Sequence, residues 1–245
     1  MKNIIREFLR EVGGPIAVVL VVLVFRTTAF GMYHIPSESM LPTLSVGDRI
    51  SVNKYAYGYS RYSLPFSVGP DLNTPSGRIL FELPERGDVV VFKHPHTNHA
   101  MIKRLIGLPG DVIEVRDGRL LINNTPTSRA AIDKYTYKEF KGHRATVQRY
   151  RETLVSGKSH SILERSDFYP GDNVGPLIVP EHHLFFMGDN RDNSLDSRYN
   201  APAIGIVHTK YLVGRAERSL FSITFHDGDD GDRHGGGLFT PLASN

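Results

Sequence analysis

Two places in the chain have side chains fit for covalent chemistry. In Ile35-Pro36-Ser37-Glu38-Ser39-Met40-Leu41-Pro42-Thr43-Leu44, Ser37 and Ser39 flank one residue and prolines stiffen both sides. A serine hydroxyl attacks a carbonyl poorly until a base takes its proton. The second place is Lys103, in the apolar run Met101-Ile102-Lys103-Arg104-Leu105-Ile106. Strand alternation puts Lys103 on the face opposite Ile102 and Arg104. If that face is interior, desolvation drives the ammonium toward the neutral form. A drop from ~10.4 to ~8.5 costs about 2.6 kcal/mol, and the neutral amine can then deprotonate a serine. On spacing alone, an edge-strand lysine facing solvent is the ordinary alternative.

Other chemistries find less support. No G-x-S-x-G elbow occurs, and no S-x-x-K with the S-D-N and K-T-G that accompany it. H-E-x-x-H is absent. His94, His96 and His99 lie among Pro, Thr and Asn, and His182-His183 are adjacent; without carboxylate partners or i,i+4 spacing they read as surface histidines, so no metal is expected. A Ser-His-Asp hydrolase would need His34 or His99. Cysteine is absent, which excludes disulfides, metal thiolates and a Cys nucleophile. Net charge is +3 without a dense Lys/Arg block, so no nucleic-acid partner is expected.

Short strands must carry these groups. The 245 residues, 40% hydrophobic and 22% charged, suit one domain with an inserted lobe. Val12 to Tyr33 holds one charge, Arg26. As a helix rising ~1.5 Å per residue it reaches ~33 Å, about one bilayer core. Lys2, Arg6 and Arg10 precede it, and by the positive-inside rule they hold residues 1–11 in the cytoplasm. A cleaved secretory signal and a buried core helix are the other readings; Thr27-Thr28-Ala29 is a poor A-x-A site. After residue 33 the pattern is strand-like: Arg49–Asn53, Asp88–Phe92, Met101–Ile106, Val112–Arg116, Arg119–Ile122, His183–Met187, Ile204–His208, Tyr211–Ala216 and Leu220–Phe225. Asp117-Gly118 marks a hairpin. Ile132 to Val147 is the one stretch with any helical character, and it is too mixed to assign. The expected fold is mostly β: an antiparallel β domain over 34–122 and 179–225, a polar lobe over 123–178, one transmembrane helix over 12–33, and a solvated tail over 226–245. The Asp spacing of that tail is not an EF-hand loop.

At these residues the chain resembles bacterial type I signal peptidases, over most of 12–122 and 178–225. Pro36 to Leu44 resembles the nucleophile segment P-S-x-S-M-x-P-T-L. Gly47-Asp48-Arg49-Ile50 with Asn53 to Gly58 resembles the next block, Arg86 to Lys93 with Ile102 to Asp111 the general-base block, and Met187 to Tyr199 the last. Glu38 stands where Gly is frequent, Met101 where Tyr is frequent, and Asn200-Ala201-Pro202-Ala203 lengthens the link after Tyr199.

The resemblance implies a membrane-bound serine endopeptidase that removes signal peptides from exported preproteins through an acyl-enzyme, without cofactor or metal. By it, Ser39 is the nucleophile and Lys103 the general base. Ser37 is the side-chain oxyanion donor, Ser194 the hydroxyl orienting the amine, and Asp196 with Arg198 the supporting pair. Tyr33, Ile35, Leu44, Val91 and Ile102 line pockets for Ala-x-Ala signal peptides. The expected partners are such preproteins and membrane lipid, with a single pass through the cell (inner) membrane and the catalytic part on its periplasmic, extracytoplasmic side. The tyrosine-rich stretch from Tyr55 to Phe66 either meets headgroups or covers the core. A self-cleaving repressor would use the same dyad but needs a helix-turn-helix, and a non-catalytic tethered β scaffold would not need Ser39 and Lys103 together.

Overall fold

The computed structural model describes residues 2–64, 67–139, 142–200, 202–222 and 240–241; within them the side chains of 2–12, 23, 26, 27, 218–222 and 240–241 lie outside the description. Among the described residues one α-helix, α1 (Lys2–Ala29), precedes fifteen strands. They are β1 (Phe30–His34), β2 (Asp48–Asn53), β3 (Val89–Lys93), β4 (Ala100–Gly107), β5 (Val112–Arg116), β6 (Arg119–Ile122), β7 (Thr125–Pro126) and β8 (Ser128–Lys138). Then come β9 (Arg144–Thr153), β10 (Ser159–Glu164), β11 (Val174–Ile178), β12 (His183–Met187), β13 (Val207–His208), β14 (Leu212–Ser222) and β15 (Thr240–Pro241).

The main sheet is antiparallel and runs β1-β2-β14-β3-β4-β12-β13, with β15 on β14. Its strands are rich in Val, Ile, Phe and Leu, which suit a pleated surface packed on both faces. Val89, Val91 and Ile102 join one core cluster; Val90, Phe92, Leu105 and Leu184 join another across the sheet. In β4 the cross-sheet alternation therefore holds: Met101 and Leu105 face one cluster and Ile102 the other, with Lys103 opposite Val90 in register. Asp117 and Gly118 both take positive φ, 48° and 69°, as the two-residue turn between β5 and β6 requires.

Two expectations change, and the unassigned stretch at 132–147 takes a form. The apolar segment does not continue as helix to Tyr33: α1 stops at Ala29, and Phe30–His34 pairs with β2, because the backbone there gains a ladder of cross-strand hydrogen bonds. Among the described residues no helix is long and apolar enough to cross a membrane. Ile132 to Val147 holds no helix: it spans β8, a turn and β9, which with β10 form a three-stranded sheet. Period-2 pairs such as Tyr135 with Val147 and Tyr137 with Ala145 explain why a 3.6 period was unreadable. Ile204–His208 and the two last strands differ in extent: only Val207–His208 is strand, Tyr211 ends a 3-10 turn (Thr209–Tyr211), and Leu212–Ala216 and Leu220 belong to the single long β14. Residues 223–225 and the tail expected at 226–245, Thr240–Pro241 apart, lie outside the described residues, as do Pro65 and Phe66.

Candidate active site

The nucleophile segment crosses from β1 to β2 as one 3-10 turn, Glu38–Met40, with Ser37 as its N-cap. Met40 and Leu44 are fully buried in the cluster that also holds Ile35, and this anchors the turn. Ser37 is extended (φ −134°, ψ 159°) and its hydroxyl makes no cap bond. The first N–H groups of such a turn have no internal acceptor, so the Ser39 N–H and the Ser37 hydroxyl are both left to face a ligand. The Ser37 and Ser39 Oγ atoms lie 3.3 Å apart.

Lys103 reaches this turn from β4. Its Nζ donates to Ser39 Oγ at 2.6 Å, and the residue is 3% exposed. Burial pushes the amine down from 10.5 to about 8; Asp196 and Asp189 pull it back up and Arg198 pushes it further down.

The reason the acids do not hold the ammonium is that each already has an arginine. Arg104 Nε and Nη2 donate to Asp189 at 2.7 and 2.6 Å, and Thr43 Oγ1 adds a third bond at 2.5 Å. Burial alone would raise the Asp189 carboxyl, but Arg104 outweighs it and holds the group below the usual range. Arg198 Nε donates to Asp196 Oδ1 at 2.9 Å and its Nη2 to Oδ2 at 3.0 Å. The Gly188 N–H donates to Asp196 at 3.0 Å. Again burial is outweighed, here by Arg198, and Asp196 stays ionised. Arg191 pairs with Glu152 of β9. Three buried pairs balance around Lys103, which has no carboxylate paired to it among the described residues. His160 of β10 sits between Glu152 (3.5 Å) and Asp189 (3.8 Å), and burial with Arg104 lowers its pKa to about 3, so it is neutral.

Residues 188–199 form the opposite wall. They fold back on β12: Ser197 N donates to Phe186 O, and Phe186 N to Ser197 Oγ, both at 3.0 Å. Asn190 N donates to Ser39 O at 3.1 Å. Gly188 sits where only glycine fits, since a Cβ there would lie 2.3 Å from Ser194 Oγ and 2.6 Å from Ser39 O. Ser194 is thus packed against Gly188, on whose other neighbour, Ser39 O, the same Cβ would also intrude. Its hydroxyl lies near the Asp196 carboxylate, whose ionised form it favours, yet makes no hydrogen bond of normal geometry, and no bond joins it to Lys103.

The structure brings Ser37, Ser39, Lys103, Ser194, Asp196 and Arg198 into one place. It shows Asp196–Arg198 as a buried pair, with side chains 0% and 1% exposed. Tyr33, Ile35, Leu44, Val91 and Ile102 also share one cluster, but Ile35, Leu44 and Val91 are sealed in it and only Tyr33 is half-exposed, with Ile102 at the edge of burial. Met101 turns to the other cluster. His34 and His99 are exposed, and the partners of Ser39 Oγ are Lys103 and Ser37. Residues 2–29 are one helix, which leaves no helix-turn-helix there. Sequence reasoning missed Arg104, Asp189, Asn190 and Thr43 as site residues; they stand within the motif blocks, but only their contacts single them out.

Comparison with known proteins gives the chain its family. The family profile described as "Signal peptidase, peptidase S26" matches residues 9–221. A signal peptidase I of Rickettsia bellii (strain OSU 85-389) is 36% identical over 227 residues, 88% of this chain and 75% of that protein. One of Rickettsia massiliae (strain Mtu5) is 36% identical over 231 residues, 91% and 84% respectively. A crystal structure of a signal peptidase I from Enterococcus faecalis V583 is 28% identical and covers 55% of this chain and 97% of its own, with a TM-score of 0.34, too loose a likeness to bear on the fold.

Proposed function

Because this chain belongs to the signal peptidase family, peptidase S26, whose type I members hydrolyse the bond that frees a signal peptide, we propose that Ser39 is its nucleophile and Lys103 its general base. One observation carries the assignment: a buried amine, lowered to about 8, lies 2.6 Å from the Ser39 hydroxyl with no carboxylate paired to it among the described residues.

Neutral Lys103 takes the Ser39 proton as Oγ bonds to the scissile carbonyl carbon. The oxyanion that forms is held by the Ser37 hydroxyl and the Ser39 N–H, donors fixed before the reaction begins. Lys103 then protonates the leaving amine and the peptide bond breaks, leaving the signal peptide as an ester on Ser39. The amine, neutral again, takes a proton from the water that attacks the ester, and Ser39 recovers its proton as the acid departs. Asp196 and Arg198, bound to Gly188 and to the Arg191 carbonyl, keep this wall in place. Ser194 packs on Gly188, the glycine that also closely approaches Ser39 O.

The substrate is read as an extended strand beside the sheet, which gives main-chain hydrogen bonds and alternate side-chain pockets. Half-exposed Tyr33, with Ile102 at the edge of burial and Ile35, Leu44 and Val91 behind them, is the apolar wall such a strand would meet, and it is read as taking small residues of the Ala-x-Ala kind. The tether is α1. From Ile16 to Phe25 its described large side chains are exposed on every face (Leu20 55%, Val21 67%, Phe25 66%), a surface that suits lipid better than water. With Lys2, Arg6 and Arg10 ahead of the apolar stretch, the positive-inside rule argues for a catalytic domain on the outer side of the cell membrane.

Cleavage of a preprotein by detergent-solubilised Ser39→Ala and Lys103→Ala variants tests the dyad. Both are expected to lose activity while keeping the wild-type circular dichroism spectrum. Wild-type cleavage by either variant removes that residue from the mechanism.

A further inference from the structure

We propose that Glu38, the residue between the two serines, is a positioning residue that clamps the nucleophile turn to the Ser194 wall through Asn193. Its Oε2 accepts from Asn193 Nδ2 at 2.7 Å. Asn193 ends a single 3-10 turn, Arg191–Asn193, and Ser194 follows it directly. The clamp therefore spans from the middle of the Ser37-Glu38-Ser39 turn to the residue before Ser194. It works beside two bonds from Asn190, whose Nδ2 donates to Glu38 O at 3.2 Å and whose N–H donates to Ser39 O at 3.1 Å.

A clamp matters here because the Ser37 hydroxyl has little holding it in place. Ser37 is exposed, and its hydroxyl has only the 3.3 Å contact with Ser39 Oγ. A three-residue 3-10 turn has little internal hydrogen bonding to keep its shape. Glu38 is the one side chain on this turn between the donors, and it is tied to the opposite wall. Donors act on a transition state only if they stand where the charge will develop. The charges that act on Lys103 are Asp196, Asp189 and Arg198, so Glu38 works by holding geometry and not by tuning the base.

This inference rests on the Ser39/Lys103 reading, and the experiment separates the two. Preprotein cleavage is measured with the solubilised full chain for Glu38→Ala, Glu38→Gln, Asn193→Ala, the double Ala variant and Ser39→Ala, with thermal midpoints for each. A clamp predicts that Glu38→Ala lowers kcat about tenfold, with KM within about twofold and the pH midpoint unmoved. Glu38→Gln, which keeps an acceptor for Asn193, should stay within about threefold of wild type. Asn193→Ala should match Glu38→Ala, and the double variant should be no worse than either single. Full kcat in Glu38→Ala, equal loss in Ala and Gln, or losses that multiply in the double variant would each overturn the clamp while leaving the dyad in place. Cleavage by Ser39→Ala would overturn the dyad reading and the clamp together.

Discussion

Replacing Lys103 by Met should make the protein inactive and more stable near neutral pH. The side chain keeps its unbranched shape, one atom shorter, and loses its charge. The fold lowers the amine from 10.5 to about 8, a drop of about 2.5 (10.5 − 8), chiefly by burying it. At ~1.4 kcal/mol for each pK unit, holding this group in the interior costs roughly 3 kcal/mol near pH 7. Losing the hydrogen bond to Ser39 Oγ subtracts ~1 kcal/mol, so the net gain is ~2 kcal/mol. For a chain of this size that raises the thermal midpoint by ~4–8 °C. The pH dependence fixes the cause. The folded pKa lies below the unfolded one, so the penalty is complete below about 8 and fades as pH rises toward 10.5. The advantage of the Met variant should therefore vanish near pH 10 and become a deficit of ~1 kcal/mol, the lost hydrogen bond. Urea denaturation of both solubilised proteins at pH 7 and pH 10 measures this. A Met variant less stable than wild type at pH 7, or a difference that does not change with pH, would refute the idea that a buried unpaired ammonium is being held there.

The same amine sets the activity profile: kcat/KM for a preprotein should rise with pH through a midpoint of about 8, because only the neutral form accepts the proton, and a midpoint in the histidine range would count against Lys103. Ser37→Ala should lower kcat by ~10²–10³ with KM little changed, as loss of one oxyanion donor does, and steady-state kinetics would show it. Gly188→Ala places a Cβ 2.6 Å from Ser39 O and 2.3 Å from Ser194 Oγ, so kcat should fall at least about tenfold, with ~1–3 kcal/mol lost in denaturant titration. Glu152→Gln strands the Arg191 guanidinium in the interior and should cost ~3–5 kcal/mol in the same titration, much of it regained when Arg191→Met is added.

Strand positions were legible where one local rule sufficed. Asp117-Gly118 announced its turn because both residues tolerate positive φ, and the apolar runs at 89–92 and 101–106 became central strands. The Ile132 to Val147 stretch was not legible. Its strands face the protein with Tyr135, Tyr137, Ala145 and Val147 and solvent with Thr136, Lys138, Arg144 and Thr146, and the turn between them breaks the count. The end of α1 was misplaced because Phe30 to Tyr33 is as apolar as the helix before it; the partner strand β2, absent from any local window, decides its conformation.

For the site, the residue types and their order determined which chemistry was available: two serines on a stiff turn, one lysine in a strand and an acid–arginine pair downstream. Sequence could not decide whether Lys103 meets water or Ser39, nor whether Asp196 and Arg198 are a surface pair. Those outcomes depend on desolvation and on which charges are neighbours, and both arise only when β3, β4, β12 and the turn at 38–40 pack together. Local pattern carries a side chain's identity and its face; the dielectric around it, and the count of opposite charges already taken, belong to the folded whole.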